Sequence, residues 1–278
     1  MEIKTSDIMR LKNTTGAGIK DCKEALEAAS GDFDKAVAAL REKGKATAAK
    51  KADRIAAEGV VAVTGGGNLG VIVEVNCETD FAAKTEAFVA LTDKIAKQIA
   101  KAANCGNAIQ EMIEDATTAI REKISVRRSE RYESRGGVVA TYSHFGRIGV
   151  MVELTGKATE ELAKNIAMHI AAANPQYLDD KSVPHDIVER EREILRNKAK
   201  ADKKPDAIIE RMVDGGVKKF YQENCLTEQA YVRDPSKSVR EICAGATIAR
   251  FVRYELGEGI EKKTEDFAEE VKKASQSR

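Results

Sequence analysis

The sequence contains no tryptophan, and only 5% of its 278 residues are aromatic, so a core built from it must come largely from Ala, Val, Ile and Leu. No run approaches the roughly 18 apolar residues that cross a bilayer, which argues against a membrane role. Histidine occurs only at 144, 169 and 185, and the cysteines (Cys22, Cys77, Cys105, Cys225, Cys243) are odd in number, far apart and without metal-site spacing. Neither a disulfide framework nor a metal site is expected. With no apolar leader at the N-terminus, reduced thiols and a cytoplasmic location are the simple expectation. A surplus of one charge is missing too, since 46 Lys and Arg face 45 Asp and Glu. Proteins that hold nucleic acid mainly by neutralising phosphates show a clearer basic excess, so direct nucleic-acid binding is not expected.

What is present is helical periodicity at both ends and a written-out repeat between them. Ile8 and Leu11, then Ile19, Cys22 and Leu26, then Phe33, Val37 and Leu40 form three short amphipathic stripes. Thr5-Ser6-Asp7 is suited to cap the first, Gly16-Ala17-Gly18 to turn the chain, Asp32 to cap the third and Gly44 to stop it. Three such helices bury a core of binding-module size. Residues 45–58 then read as a Lys- and Ala-rich helical linker.

After Gly59 the period drops to that of strands. Val60–Val63 and Val71–Val75 flank the hairpin turn Gly65-Gly66-Gly67, and Phe88, Leu91, Ile95 and Ile99 mark a helix. The same pattern then recurs. Gly59-Val60-Val61-Ala62 returns as Gly137-Val138-Val139-Ala140, Gly70–Val75 as Gly149–Leu154, and Ile95–Ala100 as Ile166–Ala171. Glu74 is 79 positions from Glu153, whereas Ile95 is 71 from Ile166, so the first half carries eight extra residues in or around Cys77–Lys84. A loop the scaffold does not need in order to close is a candidate for function.

All four prolines follow residue 174. Pro184 opens a charged helical run that Lys203-Lys204-Pro205 breaks before a second, giving a hairpin with a thin apolar stripe: Ile187, Ile194, Ile208, Ile209 and Met212. Ile248–Leu256 alternates like a strand, and a last amphipathic helix carries Phe267 and Val271 behind a Thr264 cap. The expected class is α+β, with antiparallel sheets in two strand–strand–helix halves. The divisions fall at 1–54 (three-helix module), 55–136 and 137–183 (the two halves), 184–224 (hairpin), 225–262 (continuation of the second half) and 263–278 (C-terminal helix).

Catalytic chemistry is harder to find. Gly16–Asp21 and Gly44–Thr47 both miss the phosphate-loop pattern, which ends in Gly-Lys-Ser/Thr. His169 lies on an apolar stripe, as a core histidine would, and His144 falls at an exposed turn. Arg127–Arg131, basic with an interleaved acid, reads as a solvated face. No catalytic residue, cofactor or metal ligand is assigned, and the chain does not read as an enzyme.

Two stretches carry a specific resemblance. Thr15-Gly16-Ala17-Gly18-Ile19-Lys20-Asp21-Cys22-Lys23-Glu24-Ala25-Leu26, with Gly31-Asp32 and Leu40–Gly44, and Val75-Asn76-Cys77-Glu78-Thr79-Asp80-Phe81-Ala82-Ala83-Lys84 resemble the two signatures of the bacterial translation elongation factor Ts family. His144 with Arg147–Val150, and Gly257–Glu261, fit it as well. The resemblance implies a ubiquitin-associated-like N-terminal module and a helical hairpin used in homodimer contacts through 184–224. It also implies guanine nucleotide exchange on elongation factor Tu, GDP-bound or nucleotide-free. By the same resemblance Thr79, Asp80 and Phe81 form the exchange loop, with Asp80 and Phe81 pushing in beside the partner's magnesium and phosphates. Lys12, Ile19, Lys20, Lys23, His144, Val232 and Arg233 are implied as further contacts. Lys12 stands where arginine is usual, Lys20 where an apolar residue is usual, and Ala82 replaces a frequent valine. Whether Asp80 caps a helix or reaches the opened site is open at this level. The alternative is an RNA- or ribosome-associated protein, motivated by the basic stretches 45–54 and 127–135.

Overall fold

The structure, a computed structural model, describes residues 3–102, 104–202 and 205–261, without the side chains of 206 and 207. The Lys203-Lys204 break and the expected last helix, with Thr264, Phe267 and Val271, lie outside the described residues.

The chain opens with α1 (Thr5–Thr15), α2 (Ile19–Ala28) and α3 (Phe33–Lys50). Leu11, Cys22, Leu26, Ala36 and Leu40 close a small core among them. Two local expectations fail. The N-cap of α1 is Lys4, with no side-chain cap bond, and Thr5–Asp7 already lie in the first turn. Gly44 does not stop α3, which runs on to Lys50. A Cβ at Gly44 would run into the Thr118 hydroxyl of a later helix, so glycine here permits close helix packing. Ile19, part of the second stripe, stays 54% exposed while Cys22 and Leu26 go inside.

The first half contains β1 (Glu58–Gly66), β2 (Leu69–Cys77), α4 (Asp80–Ala83), α5 (Glu86–Lys101), α6 (Gly106–Ile120) and β3 (Ser125–Glu133). Gly65 and Gly67, at φ 98° and 72°, let the β1–β2 hairpin turn. The second half contains β4 (Val138–His144), β5 (Ile148–Gly156) and α7 (Glu160–Ala173). The helical hairpin α8 (His185–Ala201) and α9 (Asp206–Asn224) follows, then β6 (Ala230–Tyr231), β7 (Asp234–Ser238), α10 (Val239–Ile242) and β8 (Ala246–Glu255). The sheets are antiparallel and ordered β1-β2-β3 and β4-β5-β8. Each half has three strands: β3 is an addition to the expected first half, whereas β8 is the expected Ile248–Leu256 strand, which joins the second half after the hairpin is spliced in.

The central strands are buried on both faces. Val71, Val73 and Val75 of β2 pack toward α5 and α6, and Val150, Val152 and Leu154 of β5 toward α7. Ile72 and Met151 point the other way and meet Val61, Val139, Tyr132 and Tyr254 between the sheets. Gly70 and Gly149, equivalent in the repeat, allow that approach: added Cβ atoms would come within 2.6 Å of Val139 Cγ1 and 2.5 Å of Val61 Cγ1.

The third strands extend the duplication beyond what the first two show. Arg127–Arg131 belongs to β3, and its arginines are engaged rather than solvated. Glu74, wholly buried on β2, takes Arg128 Nε at 2.6 Å and Arg127 Nη1 at 3.2 Å. Its equivalent Glu153 takes Arg250 Nε at 2.7 Å. Arg128 lies over the Tyr254 ring at 4.2 Å and Arg250 over Tyr132 at 3.9 Å. Each half thus lays its arginine on the other half's tyrosine, and both central strands shift register just after the glutamate.

In the α8–α9 hairpin Ile209, Val213 and Val217 are buried with Ala199. Of the expected stripe, Ile209 turns inward, whereas Ile194, Ile208 and Met212 stay exposed. Among the described residues no helix is long and apolar enough to cross a membrane.

Candidate functional site

β2 ends at Cys77, whose thiol is pushed up to about 12, chiefly by burial, so it serves as packing and not as a nucleophile. The chain then leaves the sheet through the surplus residues. Thr79 caps α4, accepting the Ala82 N–H at 3.1 Å, and Thr85 caps α5, accepting the Phe88 N–H at 3.3 Å. Two caps six residues apart force a single helical turn between β2 and α5. Ala82 and Ala83 face inward and join the α5–α6 core. Phe81 therefore faces outward, 80% exposed. Asp80 binds Lys84 Nζ at 2.6 Å, and that hydrogen bond holds its carboxyl below the usual carboxylate range. The cap role belongs to Thr79, so the reading of Asp80 as a helix cap is discarded.

A brace outside the signature holds this loop. Glu122, just beyond α6, accepts the N–H groups of Glu78 and Thr79, each at 3.0 Å, and the Thr79 hydroxyl at 2.6 Å. Glu78 in turn accepts the Lys123 N–H at 2.6 Å and pairs with Arg54 at 3.1 Å. The same turn grips the N-terminal module: Arg121 reaches Asp21 at 3.1 Å, and Lys51 donates to the Arg121 carbonyl. Residues 121–123 therefore join the three-helix module to the base of the loop. Sequence reasoning missed Glu122, and no local signal could have found it, because its partners lie 43 and 44 positions away.

The other candidates are dispersed over the surface. Ile19 is exposed at the start of α2, beside Lys20, whose side chain is paired with Glu24 only at 3.9 Å, and Lys23, paired with Glu27 at 3.7 Å. Lys12 is half-buried, with its carbonyl accepting the Gly16 N–H. His144 sits at the β4–β5 hairpin tip, with Nδ1 3.2 Å from the Tyr142 hydroxyl.

Val232 is exposed, and Arg233 donates to Asn165 Oδ1 at 2.8 Å. His169, buried on α7, accepts the Val232 N–H through Nδ1 at 3.3 Å and meets Gln229 Oε1 through Nε2 at 3.0 Å. A backbone N–H can only donate, so the imidazole proton sits on Nε2, and burial lowers the His169 pKa to keep the ring neutral. The core histidine thus fixes the 229–233 segment. Phe145, next to His144, also escaped the sequence reading; its signal was a large apolar residue in a hairpin turn.

Among the described residues no group of His, Cys, Asp and Glu is arranged to hold a metal. A duplicated α+β core that presents a braced, outward-facing phenylalanine defines a protein that works by docking on another macromolecule. Comparison with known proteins gives the family. The sequence profile described as "Elongation factor TS" matches residues 78–258. An "Elongation factor Ts" from Alkalilimnicola ehrlichii is 44% identical over 286 aligned residues, covering 98% of each chain. The chain belongs to the elongation factor Ts family and is a guanine nucleotide exchange factor for elongation factor Tu in translation elongation.

Proposed function

We propose that the Thr79–Asp80–Phe81 turn is the element that releases GDP, entering elongation factor Tu beside its magnesium and phosphate site. The observation that carries this reading is an 80% exposed phenylalanine on a turn held by two caps and by Glu122. A ring carried on a turn whose backbone is already fixed costs no backbone ordering on docking, so more of its transfer free energy is available for the partner. Asp80, ionised at neutral pH, adds negative charge near bound phosphates. No covalent step is required, and the factor is not a catalytic enzyme. A partner that binds Tu better with nucleotide contacts loosened weakens the nucleotide by the same factor.

Lys12, Ile19, Lys20 and Lys23 supply a second contact, His144 a third, and Val232 with Arg233 a fourth. The chain engages both GDP-bound and nucleotide-free Tu. Exposed Ile194, Ile208 and Met212 support homodimer contact through residues 184–224. The factor works in the cytoplasm without nucleic acid: Arg127, Arg128 and Arg131, which motivated an RNA-binding reading, are committed to Glu74, Glu258 and Glu133.

The brace offers the test. Glu122→Ala removes three hydrogen bonds from the loop base without touching Phe81. GDP release from Tu at saturating Glu122→Ala variant, followed by stopped flow with a fluorescent nucleotide, is expected to fall about tenfold, because misplacement by about 1 Å degrades a positioned group. A folded variant releasing GDP at the wild-type rate would deprive the loop of its role.

A further inference from the structure

The tip of the β4–β5 hairpin is at odds with its own turn chemistry. The Arg147 N–H donates to the His144 carbonyl at 3.0 Å, and the two residues between them, Phe145 and Gly146, have φ of 51° and 67°. Positive φ at both central positions is the pattern of type I′ turns, which select Asn, Asp or Gly. An L-residue such as phenylalanine pays for the left-handed region in folding free energy. Burial of its ring would offset that cost, yet Phe145 is 88% exposed. The turn is also clamped. The Gly146 carbonyl accepts the Val61 N–H of β1 at 2.7 Å, and the Arg147 carbonyl accepts the Leu256 N–H beyond β8 at 2.8 Å.

Nothing within the described chain explains why a strained, clamped position carries a large apolar ring. Its neighbours suggest what it meets. The His144 ring packs edge-on against Phe145 at 4.5 Å, and Tyr142 stacks on His144 at 6.3 Å. An aromatic row that starts at Tyr142, half-buried on β4 against the core, and ends at exposed His144 and Phe145 at the tip has the composition of an interface hot spot on a clamped backbone.

We propose that Phe145 is an apolar anchor that inserts into a recess on elongation factor Tu and sets the affinity of the complex, independently of the release step at Phe81. This rests on the reading of the hairpin tip as a partner contact through His144. Strain and binding then make opposite demands on residue 145, and substitution separates them.

Phe145→Asn and Phe145→Gly both suit the turn and remove the ring. Each is expected to raise the thermal midpoint by roughly 2–4 °C, as relief of local strain in a domain of this size would. Each is also expected to raise the chain concentration for half-maximal GDP release from Tu by about 5- to 30-fold, with the rate at saturation unchanged. Half-saturation unchanged in both variants overturns the proposal, and a lowered midpoint overturns its strain argument. His144→Ala, run alongside, tells the two failures apart. If only that variant shifts half-saturation, the tip is a contact and Phe145 is not its anchor. If no tip variant shifts it, while Phe81→Ala still slows release, the reading of the tip as a contact fails and the exchange function stands.

Discussion

Phe81→Ala is expected to slow GDP release from elongation factor Tu by about 10- to 100-fold, the range that follows from losing the roughly 1.5–3 kcal/mol of burying one large apolar side chain. The loss falls on the rate at saturating factor, because the ring is assigned to disturbing the nucleotide site. Stability stays within about 0.5 kcal/mol of wild type, as for surface substitutions generally, since the ring is 80% exposed and Ala82 and Ala83 supply the inward contacts of the turn. Stopped-flow release with circular dichroism on the same samples separates the effects. A folded variant with wild-type release would move the exchange element away from this turn.

Glu74→Ala is expected to act on folding instead, lowering the unfolding free energy by about 3–5 kcal/mol, the usual cost of removing one partner of a buried ion pair. The wholly buried carboxylate joins Arg127 and Arg128 and also accepts the Gly257 N–H at 2.8 Å and Asn76 Nδ2 at 3.2 Å. Without it two arginines and a backbone donor at the seam between the halves lose their acceptor. Burial alone would raise the Glu74 pKa; the hydrogen bonds from Gly257, Arg128 and Asn76 outweigh it and hold the pKa below the ordinary value. The folded form therefore binds the proton less readily than the unfolded chain. This contribution is fully present above the unfolded value of about 4.3 and is lost as pH falls through the lower folded value. Urea unfolding from pH 7 down to pH 3 should show wild type losing stability below about pH 4.3 more steeply than Glu74→Gln. A variant within about 1 kcal/mol of wild type at pH 7 would mean that the pair is no more than a surface bridge.

How much of this was legible in the sequence depends on where each residue's partner lies. The stripes of α1–α3 and α5 and the twin runs Gly70–Val75 and Gly149–Leu154 could be read because their cause is local: one buried helix face, or a strand buried on both sides. Helix α6 was missed in the sequence, although its stripe of Ile109, Met112, Ile113, Ala116 and Ile120 is just as local. Strand β3 was hidden by its charges. Arg127 and Arg128 look solvated until Glu74, more than 50 positions away, is placed beside them. Comparing the spacing Arg128-to-Tyr132 with Arg250-to-Tyr254 would have exposed the third strand of the first half, as the alternation of Ile248–Leu256 had exposed that of the second. Gly44 misled because propensity reads glycine as a helix end, whereas contact with Thr118 makes it a packing site. The surplus loop was found by counting, the proposal that it is the exchange element came from the family signature, and its support by Glu122 required the fold.

The central claim is that factor and nucleotide weaken each other through one coupling free energy. Its most direct measurement is equilibrium binding of the chain to nucleotide-free Tu and to Tu·GDP, alongside GDP binding to Tu with and without the chain. The account predicts that the two ratios are equal and that both shrink in Phe81→Ala. Equal affinity of the chain for Tu and Tu·GDP would contradict it, because a partner without preference between the two states cannot displace the nucleotide.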